Sequence, residues 1–379
     1  MSSQQPLKPV ISAYVHDVRY FTALLRGLNF TNTQKARVTA NKAGLVIVVE
    51  QARTLLATAY ANAELFDEYT YTHPPDEPGS TPHQRTNPSQ SSLEDEELAG
   101  GEDSVDEEQR VAFEIPLNTL IECLNIFGTA GPLPAANTAG TGKVARKWRR
   151  AGDRDEDGER DDNERATRGP MDTFFGAGKD DKRTGMRMSF QGPGYPLTLL
   201  IAEDATGPTT TCDITTFDPE PSLELEFDSD AAVLNIILKS SWLRDALSEI
   251  DPSCDKLTFI ANPPGASATG SGGHTGSKPI LRIRAAGTFG STEMDYPNDK
   301  EVLESFSCKH ALSVSYHTAY IARAARALSS SSKTSLRIEE GGLLSLQFLL
   351  PGAAPGGPGS KRQKDAFIEF RCLALDADI

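Results

Sequence analysis

Alternation of apolar and polar residues, the period-two mark of strands with one buried face, runs through most of this chain. In the first half it picks out SAYV, ARVTAN, GLVIVVEQ, TLLATAYAN and LFDEYTYT, then VAFEI, MRMSF, PLTLLIAE and TTTCDITT. In the second it picks out AAVLNIILK, KLTFIA, PILRIRAA, GTFGSTEMDY and VLESFSC, then ALSVSY, TSLRIEE, LLSLQFLL and DAFIEFRCLAL. Four stretches change to the helical period. In 17–28, Val18, Phe21, Leu24, Leu25 and Leu28 share one side, with Arg19 and Arg26 nearly opposite. In 317–328, Ile321, Ala324, Ala325 and Leu328 share a side that faces away from Arg323 and Arg326. The helix over 241–250 buries Trp242, Leu243, Ala246, Leu247 and Ile250. The helix over 116–127 opens on Pro116, tolerated in a first turn, and Gly128 suits its C-terminal stop. Each half is thus a strand, a helix and further strands, given twice. Four such units predict an α+β fold, a sheet layer with helices on one face.

Four stretches break the pattern. Residues 73–110 carry 11 acids against 2 bases, over half of the net charge of −15. Residues 130–184 hold the basic run KVARKWRR and the mixed run DRDEDGERDDNER; 263–278 and 352–364 are rich in Gly, Pro and Ser. None offers an apolar face, so each is predicted to be a loop that cannot offset its ordering entropy. They dilute the hydrophobic fraction to 38% and take mean hydropathy to −0.38. Without them about 257 residues remain, divided near 216–221 (TTFDPEP) into two parts of similar length. The predicted domains are 1–217 and 218–379, the second including the connecting segment.

Charge then changes the picture. The chain is acidic, with a pI near 4.9, which argues against a protein that coats nucleic acid non-specifically. Yet its helices present arginines outward, a sheet-backed surface built for phosphate. No apolar run approaches a membrane span and residues 1–9 lack a signal-peptide core, so a soluble intracellular protein is expected. Cys123, Cys212, Cys254, Cys308 and Cys372 are scattered and never form a CxxC pair. Buried thiols in a reducing compartment are expected, with no zinc site or disulfide framework. The six histidines make no HxxxH or HxH pattern. GTAGPLPAANTAGTGK lacks the spacing of a phosphate-binding loop. No metal or other cofactor is expected.

Particular segments carry a family resemblance. They are GLVIVVEQARTLLATAYANAELFDEY (44–69), IPLNTLIECLNIFG (115–128), GPGYPLTLLIAEDATGPTTTCDI (192–214), LRDALSEID (243–251), STEMDYPND (291–299) and GLLSLQFLL (342–350). The element order is similar to that of sliding clamps typified by proliferating cell nuclear antigen. The segments, GYPL, TCDI and MDYP above all, resemble the Rad-one (Rec-one) family, a subunit of the heterotrimeric 9-1-1 checkpoint clamp. They lie in both halves and cover most of the ordered part; the four insertions depart from the compact family pattern.

The resemblance implies a two-domain ring subunit, sheets outside and helices lining a pore around double-stranded DNA. Rad-nine-like and Hus-one-like subunits would complete the ring. A dedicated clamp loader would place it at damaged DNA, and it would recruit checkpoint factors and peptide-motif repair proteins in the nucleus. Pore cations would be Arg19, Arg26, Lys239, Arg244, Arg323 and Arg326, holding backbone without reading sequence. The helix bearing Asn118, Glu122 and Asn125 offers no cation and should bind phosphate poorly. Subunits would meet through edge strands, here Thr209, Thr211, Asp213 and Thr215 in the first half and Phe289, Ser291 and Glu293 in the second. The connector loop, Phe217, Asp218, Pro219, Pro221 and Leu223, would border a hydrophobic pocket for client peptides. Lys143, Arg146, Lys147, Arg149 and Arg150 form a basic cluster that suits nuclear import. Two other readings stay open: a metal-dependent 3′–5′ exonuclease, and a homotrimeric processivity clamp. The first needs several carboxylates on rigid elements, whereas the dense acids fall in 94–108 and 153–164. The second needs complementary edges on one chain.

Overall fold

Among the described residues, eighteen strands form in the predicted order, grouped into three antiparallel sheets. The structure, a computed structural model, describes residues 8–31, 34–73, 110–128, 184–203, 207–264, 280–350 and 366–375. A five-stranded sheet has the order β5 (Glu68–Tyr71), β1 (Ile11–Val15), β7 (Gly185–Phe190), β8 (Leu197–Ala202), β9 (Thr209–Ile214). A four-stranded sheet has the order β13 (Gly290–Tyr296), β12 (Leu281–Gly287), β11 (Cys254–Ala261), β15 (Leu312–His317).

The third sheet has nine strands and draws on both halves of the chain. Its order is β14 (Leu303–Cys308), β10 (Ala232–Lys239), β16 (Lys333–Glu339), β17 (Leu344–Leu350), β18 (Ala366–Cys372), β4 (Leu55–Asn62), β3 (Gly44–Gln51), β2 (Lys35–Asn41), β6 (Val111–Pro116). The two halves join where β18 pairs with β4, Phe367 opposite Tyr60 through Cys372 opposite Leu55.

Helices cover one face of this sheet. α1 (Val18–Leu28) lies on β4 and β18, flanked by α2 (Leu117–Leu124) on one side. On its other side the predicted helix over 317–328 is two short helices, α4 (Thr318–Arg323) and α5 (Ala325–Ser330), broken at Ala324. α5 packs against both α1 and α3 (Ser240–Ser248). Ile321, Ala324, Ala327 and Leu328 are buried there, so Ala327 takes the inward place expected of Ala325. In α3, Leu243 and Ala246 are buried but Trp242 is 42% exposed. Its position in the first turn sets its ring outside the packed stripe, and its backbone carbonyl accepts from Tyr296 Oη at 3.3 Å.

Alternation explains which faces meet. Ala57 and Ala59 of β4, and Ile368 and Phe370 of β18, point toward the helices, where Phe30 just beyond α1 packs against Phe370 with the rings tilted. Small residues let α1 approach closely. A Cβ added to Gly27 would lie 2.4 Å from Ile368 Cδ1 and 3.5 Å from Ala327 Cβ. Replacing Gly27 by Leu should therefore cost about 2–3 kcal/mol through overpacking, read as a lowered midpoint in chemical denaturation.

Asp17 is the N-cap of α1, its side chain accepting from Arg19 N at 3.0 Å. Pro116 sits at φ −68° as the N-cap of α2, and Gly128, at φ +68°, follows its end in the left-handed conformation glycine tolerates. Among the described residues no helix is long and apolar enough to cross a membrane. The thiol expectation is corrected in part: Cys254 and Cys372 are buried, whereas Cys123, Cys212 and Cys308 are only half-buried.

Candidate functional surfaces

Three surfaces hold the predicted site residues: the helix layer, two sheet edges, and the connector. On the helix layer the cations divide. Arg19 is not available for phosphate. Its Nε and Nη2 reach the Asp17 carboxylate at 2.7–3.1 Å, and the two side chains are only 11% and 3% exposed. An arginine two positions past an N-cap aspartate folds back onto it, a contact that helical phase alone does not reveal.

Arg323 and Arg326 serve a different end. Arg323 Nη1 donates to the Phe30 carbonyl at 2.9 Å, and Arg326 Nη1 to the Asn29 carbonyl at 2.6 Å. Asn29 is the C-cap of α1, so these cations sit where the helix leaves carbonyls unpaired and its dipole is negative. With Arg26 in the last turn of α1, three arginines converge at this end. Arg326 remains exposed. Lys239, at the start of α3, is exposed, and neither it nor Arg26 has an ionic partner among the described residues. Arg244 is exposed beside Asp245, Nε to Oδ1 3.5 Å. On α2, Asn118 donates to Glu122 at 2.6 Å and is itself met by Asn29 Nδ2 at 3.4 Å. Among the described residues no cation joins them.

Both predicted edges are edges. β9 and β13 each end a sheet, with no strand on the far side among the described residues. On β9, Thr209, Thr211 and Asp213 face outward, Asp213 accepting from Thr198 Oγ1 at 2.6 Å; Thr215 beyond it is exposed. On β13, Ser291 and Glu293 are exposed, and Glu293 pairs with Arg282 at 2.8 Å. Phe289, at the tip of the β12–β13 hairpin, is 91% exposed.

The connector crosses the nine-stranded sheet on the face away from the helices. Phe217 exchanges backbone hydrogen bonds with Glu114 of β6, at 2.9 and 2.8 Å, while Lys35 Nζ lies over its ring. Glu220 N donates to Glu114 and Leu223 N to Glu50 of β3, at 2.9 and 2.8 Å. Arg371 of β18 donates to the Leu225 carbonyl at 2.6 Å, and Leu225 packs with Leu56, Leu343 and Leu223. Asp218, Pro219 and Pro221 are exposed and make the outer side of the crossing.

Beneath it lies a group that strand patterning did not single out. Glu369, with its side chain 3% exposed, accepts from Arg371 at 2.7 Å, Ser345 at 2.7 Å, Arg337 at 3.2 Å, Gln347 at 3.3 Å and Tyr60 at 3.4 Å. Burial pushes its pKa up, but the hydrogen bonds from Arg371 and Ser345 and the charges of Arg371 and Arg337 outweigh it and hold the carboxyl below its ordinary value. Arg337 also covers the Phe227 ring at 4.4 Å. The signal was present as polar residues at outward positions of central strands, in FIEFRC and SLRIEE. Their partners, however, lie on other strands. The basic cluster Lys143, Arg146, Lys147, Arg149 and Arg150 lies outside the described residues.

A sequence model of the family described as repair protein Rad1/Rec1/Rad17 matches residues 10–350. The chain belongs to this family. It is 30% identical to the DNA repair exonuclease REC1 of Mycosarcoma maydis, over 97% of this chain and 96% of that one. It is 26% identical to the human cell cycle checkpoint protein RAD1, over 95% and 90% of the two chains. It is also 34% identical to the DNA damage checkpoint control protein rad1 of Schizosaccharomyces pombe, over about half of each, 50% and 52%. The Rad1/Rec1/Rad17 match spans both halves, so β9, the connector and β13 all fall within it.

Proposed function

We propose that this chain is a non-catalytic subunit of a heterotrimeric checkpoint clamp that encircles duplex DNA, is loaded at damaged DNA and recruits checkpoint and repair factors in the nucleus. Its two clamp domains would be 1–217 and 218–379, built from four strand–helix–strands units with the helices toward the pore. The observation that carries this reading is a pair among the six strands that end the three sheets in the described residues. β9 comes from the first half and β13 from the second, and each ends a different sheet. An isolated chain would have to protect such unpaired ladders, whereas a ring pairs one edge with each neighbour. The family match and the relatives named for checkpoint control support the same assignment.

Arg26, Lys239, Arg244 and exposed Arg326 are then the cations that would meet phosphate. The connector would present client peptides to an apolar row beside it, where Phe367, 43% exposed, stands in register with Tyr60 and Leu349. One relative bears the name exonuclease. Metal-assisted cleavage needs carboxylates held together on rigid elements, and among the described residues no three His, Cys, Asp or Glu side chains form such a group. The acidic runs 94–108 and 153–164 lie outside the described residues.

The test is reconstitution. Co-expressed with Rad-nine-like and Hus-one-like subunits, the chain should co-purify as a 1:1:1 trimer and be retained on closed duplex DNA. Replacing Arg26, Lys239 and Arg244 by Gln should leave the trimer intact. The log–log salt dependence of retention should become shallower by about 0.9 for each phosphate that is no longer neutralised. A homotrimer, or an unchanged salt slope, would overturn the reading.

A further inference from the structure

A cavity of about 350 Å³ opens between the end of α3, the turn that follows it, the start of β11 and the first turn of α4. It lies on the helix side of the molecule, away from the connector, and no residue of β9 or β13 lines it. Its walls are apolar: Leu247 and Ile250, half-buried against the core, come from the α3 side, and Ala319 and Ala322 from α4. Asp251 and Asp255 stand exposed at its border, and none of the ten residues that line it is Lys or Arg. The Asp251 carboxylate is fixed by accepting from Ser253 N at 2.8 Å. Thr318 also lines the cavity. It is only 9% exposed, and its Oγ1 finds no hydrogen-bond partner among the described residues.

Each observation narrows the guest. The volume falls at the small end of ligand clefts, about 300–1,000 Å³, which suits a side chain rather than a helix. The two carboxylates repel an anion, so DNA phosphate is disfavoured here, and they attract a cation. The hydroxyl can accept from a donor, which offsets the cost of keeping it buried and unpaired. The apolar walls call for hydrocarbon behind the charged end, and the exposed border leaves the guest's main chain outside. Arginine meets all of these demands. Its stem packs on apolar surface while its guanidinium, always charged, carries five donors and no acceptor. Lysine is a more strongly hydrated point charge and gives up more water on entry.

We propose that this cavity is a docking site for an arginine side chain presented by a partner peptide, its stem against Leu247, Ile250 and Ala322 and its guanidinium toward Asp251, Asp255 and Thr318. The site goes beyond the clamp reading and does not rest on it. It gives the chain a peptide-binding surface on its helix side, chemically unlike the apolar row beside the connector.

The test uses the full chain and three synthetic peptides, Gly-Ser-Gly-Xaa-Gly-Ser-Gly, with arginine, lysine or the neutral isostere citrulline at the centre. In saturation-transfer NMR the arginine peptide should receive most of its signal at the stem methylenes. It should bind about tenfold tighter than the citrulline peptide, roughly threefold for each carboxylate, with lysine between. D251N combined with D255N should lower the affinity for arginine to that for citrulline. T318V removes the hydroxyl and keeps the shape, so it should weaken both, since both guests donate. A322W sets a large ring at the opening and should abolish binding. Ala322 is exposed, so this variant should keep the wild-type Tm, which separates a blocked site from a misfolded chain. No transfer to the arginine peptide at millimolar concentration overturns the proposal, as does equal affinity for arginine and citrulline, or arginine binding that survives A322W. Self-association of the free chain that A322W removes would make the occupant a second copy and overturn it too. Neither partner subunits nor DNA are present, so failure here is distinguishable from failure of the clamp reading.

Discussion

Glu369→Ala should destabilise the protein by about 3–5 kcal/mol, the range expected when a buried ion pair loses one partner and leaves the other charge uncompensated. Here two cations would be left, Arg337 and Arg371, with side chains 16% and 23% exposed. The midpoint of thermal unfolding should fall on the order of 10 °C for a fold of this size. The effect should also reach the connector. Arg371 is held by Glu369 on one side and grips the Leu225 carbonyl on the other. Without the carboxylate that grip loosens, and backbone amides from 223 to 228 should exchange faster with deuterium than those of the core strands. Glu369→Gln keeps an acceptor but no charge, so it should fall between wild type and Ala. Equal stability of all three proteins would show that the network carries no weight.

The same carboxylate sets a pH dependence with a definite sign. Its folded pKa is depressed from the ordinary value of 4.5 by hydrogen bonds and arginine charge that outweigh its burial. A depressed carboxylate contributes stability that is fully present above its unfolded pKa and is lost as pH falls through the folded one. Wild type should therefore lose stability on acidification below about pH 4.5 more steeply than Glu369→Gln, whose amide does not titrate. Parallel urea titrations from pH 7 to pH 3 measure this, and the curves of the two proteins should approach each other at the acid end. Curves that diverge on acidification would reverse the sign and refute the assignment.

The α+β arrangement was legible because each strand has one face on a core, which forces alternation into the residues themselves. The predicted strands form, although the one over 65–72 opens in a 3₁₀ turn and pairs only over Glu68–Tyr71, and α1 runs Val18–Leu28 where the helical period begins at 17. Alternation does not tell an edge strand from an inner one; Thr209–Ile214 and Gly290–Tyr296 are expected near edges on the family resemblance, and each ends a sheet among the described residues. What helical phase cannot reveal is how a cation uses its charge. Arg19 turns to an aspartate two residues away, whereas Arg323 finds a carbonyl 293 residues away. Phase treats them alike. The break at Ala324 escaped for a related reason: alanines and arginines favour helix throughout 322–327, so composition gives no sign of it. Glu369 and its arginines read as ordinary outward residues of separate strands. Only the pairing of β16, β17 and β18, together with the connector above them, makes that face an interior.

Arg323 and Arg326 allow a structural role of the helix layer to be separated from the proposed hold on DNA. A cation kept only for DNA is a solvated side chain, and its removal changes the stability of the free protein by no more than about 0.5 kcal/mol. Arg323→Ala should instead cost about 2 kcal/mol without any DNA present, because a charge-assisted hydrogen bond to the half-buried end of α1 is removed. Arg326→Ala, being exposed, should cost roughly 1 kcal/mol. The double variant is expected to be non-additive, since both arginines hold the adjacent carbonyls of Asn29 and Phe30 and either alone steadies that turn. Lysine at position 323 tests the geometry: it retains charge at the helix C-terminus but not the planar fork that reaches Phe30, and should recover only part of the loss. Denaturation of the free chain in urea reads these values directly. If Arg323→Ala unfolds at the wild-type urea concentration, the arginine is spare for phosphate after all. If it unfolds earlier while Arg26→Gln does not, the cations on this layer divide into those that bind the two halves together and those left over for a ligand.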